Sequence, residues 1–375
     1  MNDATWIVFG DDWGAHPSTT QYLVAELEGS VFWINSIGMR TPKLTRQDLF
    51  RAIRKVKARG GSGAQKELPV KASCFEVCAP KILPFHLQPR IRLINADWLS
   101  RAVNTFLKAH PPKGPVMVLS ANPVANWYLN FNFDKLAYLR LDDYPELPGV
   151  DRKLAERAEA EMYTKADIII APAQKLISEG LKQKSFYLPQ GVNTDNFITA
   201  PDDVPDAKNL GFFGLLAEWL DYDLVREVAE KLPEWTLEFI GPVRFFPDHL
   251  TDLPNVKLLP PVPYDQLSEA VGHWSAAWAP FKVNKLTEGV NPLKLREYLA
   301  AGLASFCTAL PEAEVLKPDV EIIYNADDFC TQLKQTALED TAEMRKQRKS
   351  NMRDHSWKKR AETLTKMLLG QAHVE

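Results

Sequence analysis

The chain alternates short apolar runs with amphipathic stretches, and it does so twice within 375 residues. In the first half, TWIVFG (5–10), SVFWINS (30–36), VKASCFEV (70–77), PVMVLS (115–120), KLAYLRL (135–141), ADIIIAP (166–172) and SFYLP (185–189) read as strands. They are short, rich in Val, Ile and aromatics, and bounded by Gly, Pro, Asp or Ser. Helical periodicity falls between them at 45–57, 95–110, 151–163 and 173–181. The second half repeats the pattern, with strands at 209–214, 235–241, 255–260, 275–281, 304–310 and 321–326. Helices there are predicted over 216–231, 264–274, 292–301 and 327–338. Near-continuous apolar strands separated by helices imply parallel sheets covered on both faces. The predicted class is therefore α/β, as two Rossmann-like, doubly wound parallel-sheet domains facing across a cleft. Ligands are expected at the carboxyl ends of the strands.

The polar segment PQGVNTDNFITAPDDVPDA (189–207), rich in Pro and Asp, separates the halves. It sets the predicted domains at 1–190 and 205–354, with a terminal helix over 355–372 returning to the first. The 45 basic and 48 acidic residues nearly cancel, which argues against a general polyanion binder. No apolar run reaches the ~18 residues of a membrane span, and the N-terminus lacks a basic leader, so a cytoplasmic location is expected. Cys74 and Cys78 form an isolated C-x3-C pair, read as ordinary buried thiols, and no metal-ligand cluster is predicted.

The segment PFKVNKLTEGVNPLKLREYLAAG (280–302) is the most informative. A strand ends near Phe281, a polar loop follows, and a helix begins near Pro292. Asn291 is expected to cap that helix, with Pro292 at its first position, where a missing N–H costs nothing. The amides of its first turn would attract an anion such as a diphosphate. Lys294 in that turn opposes the helix dipole and is more comfortable with an anionic partner. Lys282 and Lys285 lie on the loop just before. Glu297, one turn on, can accept two hydrogen bonds from a ribose diol. The plainer alternative is an i,i+3 surface pair of Lys294 and Glu297, contributing about 0.2–0.5 kcal/mol.

NPLKLREYLAAG resembles the nucleotide-binding motif of the GT-B glycosyltransferases, roughly N-P-x-K-x-x-E-Y-x-A-x-G. It matches at Asn291, Pro292, Lys294, Glu297, Tyr298, Ala300 and Gly302. YLPQGVNTDNF (187–197), NLGFFGLLAEWLDYDL (209–224) and WTLEFIGPV with NVKLLPPVPYDQL are similar to further elements of that family. The likeness is good over 185–370 and looser before, and is of the group 1, family 4-like type found in bacterial polysaccharide synthesis. It implies transfer of a sugar from a nucleotide-diphosphate sugar, UDP- or GDP-linked, to a hydroxyl of a saccharide or lipid-linked saccharide. The reaction would need no cofactor or metal and would serve cell-surface polysaccharide or glycoconjugate synthesis. By the same likeness Val290, Asn291, Pro292, Leu293, Lys294, Lys282 and the backbone at Gly214 hold the diphosphate, and Glu297 the ribose.

Many retaining members carry another glutamate eight positions before the ribose-binding one, where this chain has Gly289; Glu288 lies one residue further back. Either a loop difference brings Glu288 into that role or the role is absent, which leaves retention or inversion of the sugar open. In the first domain, FGDDWGAHPSTTQYL (9–23) runs from the first strand through a loop into a helix, where the resemblance implies that Trp13, Pro17 and Gln21 correspond to a Trp, a Pro and a Gln of the family. His16 in that loop is either an acceptor base or a plain surface residue. Asp142 and Asp143 follow a strand and either bind acceptor hydroxyls, one acting as base, or cap a turn.

The basic stretch 45–61 is either a helix with a solvated basic face or a contact with an anionic membrane, which would make the protein peripheral. No nucleic-acid groove is predicted. Asp221-Tyr222-Asp223, a D-x-D, falls within a predicted helix and is discounted as a metal site. The competing functions are a silent nucleotide-sugar-binding partner subunit and a sugar-nucleotide isomerase or hydrolase.

Overall fold

A computed structural model describes residues 3–14, 18–40, 68–147, 149–205 and 207–370. The chain divides into two compact units, Met1–Leu188 with Arg360–Glu375, and Pro189–Lys359. The first contains β1 (Thr5–Phe9), β2 (Ser30–Ile34), β3 (Cys74–Cys78), β4 (Val116–Ser120), β5 (Lys135–Leu139), β6 (Ile168–Ala171) and β7 (Ser185–Tyr187). They form one sheet in the order β3-β2-β1-β4-β5-β6-β7. The second contains β8 (Asn209–Phe213), β9 (Thr236–Ile240), β10 (Val256–Leu259), β11 (Ala276–Ala279), β12 (Ala304–Thr308) and β13 (Val320–Ile323). Their order is β10-β9-β8-β11-β12-β13.

All pairings within both sheets are parallel. Every residue of β1, β11 and β12 is buried, as strands covered on both faces require. The strand order reverses beside β1 in one sheet and beside β8 in the other, so each unit has one crevice at its carboxyl edge.

The longer helices of the first unit are α1 (Thr19–Ala25), α2 (Pro89–Ala109) and α3 (Arg152–Lys165). The second carries α4 (Tyr222–Lys231), α5 (Leu293–Ala300), α6 (Ala326–Glu339) and α7 (Ala342–Asn351). The last helix, α8 (Trp357–Leu368), starts in the second unit's stretch of chain and ends in the first's. Each sheet has its own core: Ile7, Val118 and Tyr138 belong to one, Phe212, Phe239 and Trp278 to the other. Trp278 stacks on Phe329 of α6 with ring centroids 5.3 Å apart, closing sheet against helix. None of the helices described is long and apolar enough to cross a membrane.

Several expected elements differ. Residues 173–181 form short 3-10 turns, Gln174–Leu176 and the start of Glu179–Lys184, because their deeply buried residues are just Ala173 and Leu176, too few for the apolar face of a helix. The helix expected over 216–231 begins only at Tyr222, where Asp221 caps it by accepting from Leu224 N at 3.1 Å. The preceding residues are drawn into the sheet edge instead: Leu216 N donates to Pro242 O, and Leu220 bridges Phe281. The D-x-D is thus a helix start. Over 264–274 there are only short turns, Tyr264–Gln266 and Leu267–Ala270. Cys74 and Cys78 are half-buried, not buried, because β3 is an edge strand. The basic stretch 45–61 lies outside the described residues.

The basic helix α7 is held by charge. Arg345 Nε donates to Asp340 Oδ2 at 3.0 Å and Arg348 Nη1 lies 2.7 Å from Oδ1, with Arg345 and Asp340 both excluded from water. Arg345 also donates to Trp274 O at 3.1 Å. Removing one partner of such a pair strands a buried charge. Asp340→Ala should lower the stability of the second unit by about 3–5 kcal/mol, read as a lower urea midpoint. The pair change Asp340→Leu with Arg345→Met should recover part of that loss.

Candidate functional site

In the second unit the crevice lies between the ends of β8 and β11. Gly214 follows β8 with φ 138°. A Cβ there would overlap Lys294 Cε and lie 2.8 Å from its Nζ, so the lysine side chain occupies the space that glycine leaves. Gly241, the residue after β9, has φ 148°, and a Cβ on it would overlap the Gly214 carbonyl oxygen. The two glycines are adjacent because Phe213 pairs with Ile240.

Half-buried Lys294 lies 5.7 Å from the Phe212 ring centroid. Burial lowers the pKa of its ammonium, and nearby Glu297 partly offsets that shift. Glu297 is buried, and burial raises the pKa of its carboxyl against the opposing pull of Lys294 and Tyr264. The Tyr264 hydroxyl donates to Glu297 Oε1 at 2.9 Å. Tyr298, next along α5, accepts from Phe213 N at 3.4 Å and ties the helix to the end of β8.

The helix start differs from the sequence reading. Pro292, not Asn291, occupies the cap position of α5 and supplies no side-chain cap. The Asn291 amide donates to Glu312 Oε2 at 2.7 Å and accepts from Arg296 at 2.5 Å. It is a buried brace between α5 and the segment after β12. Leu293 opens the helix, with Val290 half-buried just before it.

The loop from Phe281 is built on its own polar groups. Asn284 Oδ1 accepts from Leu286 N at 3.0 Å and Thr287 N at 3.2 Å, and Thr287 Oγ1 donates to Lys282 O at 2.5 Å. Lys282 N donates to Trp219 O, while the Lys282 and Lys285 side chains are exposed. Glu288 is half-buried on the 3-10 turn Thr287–Gly289.

In the first unit the crevice lies between the ends of β1 and β4. A Cβ on Gly10 would overlap the Trp33 ring, whose Nε1 donates to Asp11 O at 2.9 Å. Trp13 packs against Trp33 and Phe75 with centroids 4.8 and 4.5 Å away. Asp12 accepts from Ser36 N and Oγ, and the Gln21 amide donates to Asp12 O. Trp13 and Gln21 therefore fix the loop's shape. Past β5, the Asp142 pKa is pushed up to about 6 by burial, then by Asp11 and Asp143. Asp143 does not cap the turn that follows; it lies 3.5 Å from Arg140. His16 and Pro17 lie outside the described residues.

Gly214, Lys294 and Glu297 thus come together in one unit, and Asp142 and Asp143 in the other. Three residues escaped the sequence reading. Tyr264 sits 33 residues before its partner Glu297 and carries no local signal. Asp11 acts on Asp142 from 131 residues away in sequence, a pairing that no local spacing signals. Gly241 was findable, since it follows β9 as Gly214 follows β8.

Two doubly wound parallel-sheet units, each with its crevice at a reversal of strand order, give the chain the GT-B fold. Along nearly its whole length it is similar to the sucrose-phosphate synthase of Thermosynechococcus elongatus, with a TM-score of 0.63 and 11% identity over 98% of this chain and 100% of that one. HepE from Anabaena, solved with UDP and glucose, gives a TM-score of 0.62 and 12% identity, again over 98% of this chain and 100% of that one. In sequence, the chain is 29% identical over 188 residues to TuaH of Bacillus subtilis (strain 168), named provisionally as a teichuronic acid biosynthesis glycosyltransferase. That match spans 45% of this chain and 47% of TuaH, about half the length of the relative. No protein-family model matches the chain.

The raised pKa of Asp142 has a signed consequence. Its fold favours the protonated acid, so its contribution to stability is present below the unfolded value of 3.8 and lost as pH rises through about 6. Asp142→Asn should therefore raise the melting temperature at pH 8 by about 2–4 °C, the shift for roughly 1 kcal/mol in a domain of this size. At pH 4 the gain should largely vanish. Differential scanning fluorimetry at both pH values checks this.

Proposed function

We propose that the chain is a glycosyltransferase that moves a sugar from a nucleotide-diphosphate sugar to a hydroxyl of a saccharide or lipid-linked saccharide. The pathway would be the synthesis of a cell-surface polysaccharide or glycoconjugate. The observation that carries the reading is Lys294, seated in the space left by Gly214 one helical turn before the buried Glu297. The GT-B fold and the partial likeness to TuaH support it. HepE, with UDP and glucose in its structure, favours a uridine nucleotide over a guanosine one as the first donor to try.

In the proposed reaction the bond from the sugar's anomeric carbon to the diphosphate oxygen breaks. A bond from that carbon to the acceptor oxygen forms, the hydroxyl proton passes to a base, and the diphosphate leaves with the negative charge. Lys294 and the first amides of α5 oppose that charge, with Lys282 as a further cation from the loop. Glu297, oriented by Tyr264, accepts from the ribose hydroxyls. These groups take the place a metal ion would otherwise fill.

The first unit would hold the acceptor. Asp142 combines an ionised fraction at neutral pH with real basicity, since its pKa of about 6 lies near the working pH. Asp143 and His16 are the other candidates there. Glu288 is the candidate for a carboxylate beside the sugar.

Calorimetric titration with UDP and UDP-glucose tests the donor site. Lys294→Met should weaken binding by about ten- to a hundredfold, the range for a lost hydrogen bond to a charged group. Gly214→Ala should act in the same direction by displacing the lysine. Glu297→Gln should reduce the preference for UDP over its 2′-deoxy analogue. Unchanged affinity in all three variants would refute the site. With a labelled donor, transfer to no acceptor at all would favour the silent-subunit reading, and release of free sugar the hydrolase.

A further inference from the structure

At the opposite, amino end of the first unit's sheet, three potential metal ligands converge from distant parts of the sequence. Cys74 and Glu76 alternate along the edge strand β3, so both side chains stand on the same face. His110 follows the last turn of α2 and is exposed enough to meet them, with its Nε2 2.8 Å from Glu76 Oε1. One ligand atom from each of Cys74, Glu76 and His110 lies within 4.8 Å of the other two. The imidazole is positioned from behind: its ring centroid is 5.0 Å from that of Phe106, which is buried and stacks on Phe32 at 4.8 Å.

We propose that Cys74, Glu76 and His110 form a binding site for a divalent transition metal of the zinc type. Thiolate, imidazole and carboxylate are together a donor set for zinc and its neighbours. Magnesium and calcium, which take oxygen ligands, do not suit a thiolate. Tetrahedral zinc holds its ligands at about 2.0–2.3 Å, which sets them roughly 3–4 Å from one another. The His110–Glu76 pair, at 2.8 Å, opens slightly, and the separations to Cys74, which lie within 4.8 Å, need close by no more than about 1–2 Å, a movement within side-chain rotation at a half-exposed edge.

A cavity of about 340 Å³ opens beside the cluster, lined by Cys74 and His110 together with Asp3, Ser30, Ser73 and Lys113. It leaves room for water as the fourth ligand, or for the Asp3 carboxylate. Binding exchanges the thiol proton for the metal and breaks the His110–Glu76 contact in favour of two metal bonds. The ion ties the outermost strand of the sheet to the end of α2. An edge strand, bonded to only one neighbour, has the most to gain from such a clamp.

The test uses the full chain, freed of metal with a chelator and titrated with cobalt(II). One equivalent should bind with a thiolate-to-metal charge-transfer band, and zinc should displace it. Cys74→Ser should abolish the band, and Glu76→Gln and His110→Gln should each weaken zinc binding at least tenfold. Cys78→Ser, on the same strand but outside the cluster, should leave the band in place. Zinc should raise the melting temperature of the unaltered chain and not that of Cys74→Ser. The proposal is overturned if cobalt gives no charge-transfer band, if Cys74→Ser keeps it, or if zinc affinity is the same in the three cluster variants as in the unaltered chain. UDP titration of the same variants is a separate readout, so loss of the metal site and failure of the sugar-transfer reading remain distinguishable.

Discussion

A strand bonded on both edges and packed on both faces can present chemistry only at its ends. That constraint shapes both units. β1 and β8 lie inside their sheets with nearly all of their residues buried, and the strand order reverses beside each. The loops that leave the two neighbouring strands therefore diverge, and the residues just past Phe9 and Phe213 are the first that can meet a ligand. Loops in such a place must satisfy their own backbone groups. Asn122 does this after β4 by accepting from Val124 N and donating to Ile37 O. Asn284 and Thr287 do it after β11.

Within that frame, the second unit places a cation where burial disfavours it. Lys294 stands in the first turn of α5, where the helix dipole also opposes it. Desolvation lowers its pKa and raises that of Glu297, so each charge depends on the other. A weakly hydrated ammonium interacts more strongly with an anion than one in bulk water, because less solvent screens it. Gly214 makes this possible: any side chain there would push the lysine out of its position.

The strands were legible because burial on both faces leaves an unbroken apolar run that no other element of that length imitates. All thirteen expected strands occur among the described residues, within a few positions of their predicted limits. Helices failed where an apolar pattern had another use. Leu216 and Leu220 look like helix residues, yet they pair with Val243 and Phe281. The helix α7 was hidden for the converse reason, since its buried residue is an arginine. The site shows the same division. Lys294 and Glu297 share one helix and could be read locally. Asn291 looks like a cap beside a proline, but its partners Glu312 and Arg296 draw the amide inward. No spacing rule foretells that competition, nor the bond from Tyr264 to Glu297.

The same balance of local and distant forces bears on the glutamate that stands one position early. Gly289 is buried, whereas Glu288, on the same turn, is half-buried. Thr287 fixes that turn through Lys282 and Asn284, so the loop does not slide freely by one residue. A carboxylate at the buried position 289 would have to give up most of its water, at a cost of several kcal/mol unless a cation paired with it. At 288 it keeps part of its hydration. With this turn held by Thr287, the half-buried position 288 accommodates a carboxylate more cheaply than the buried position 289, which suits the small residue found there.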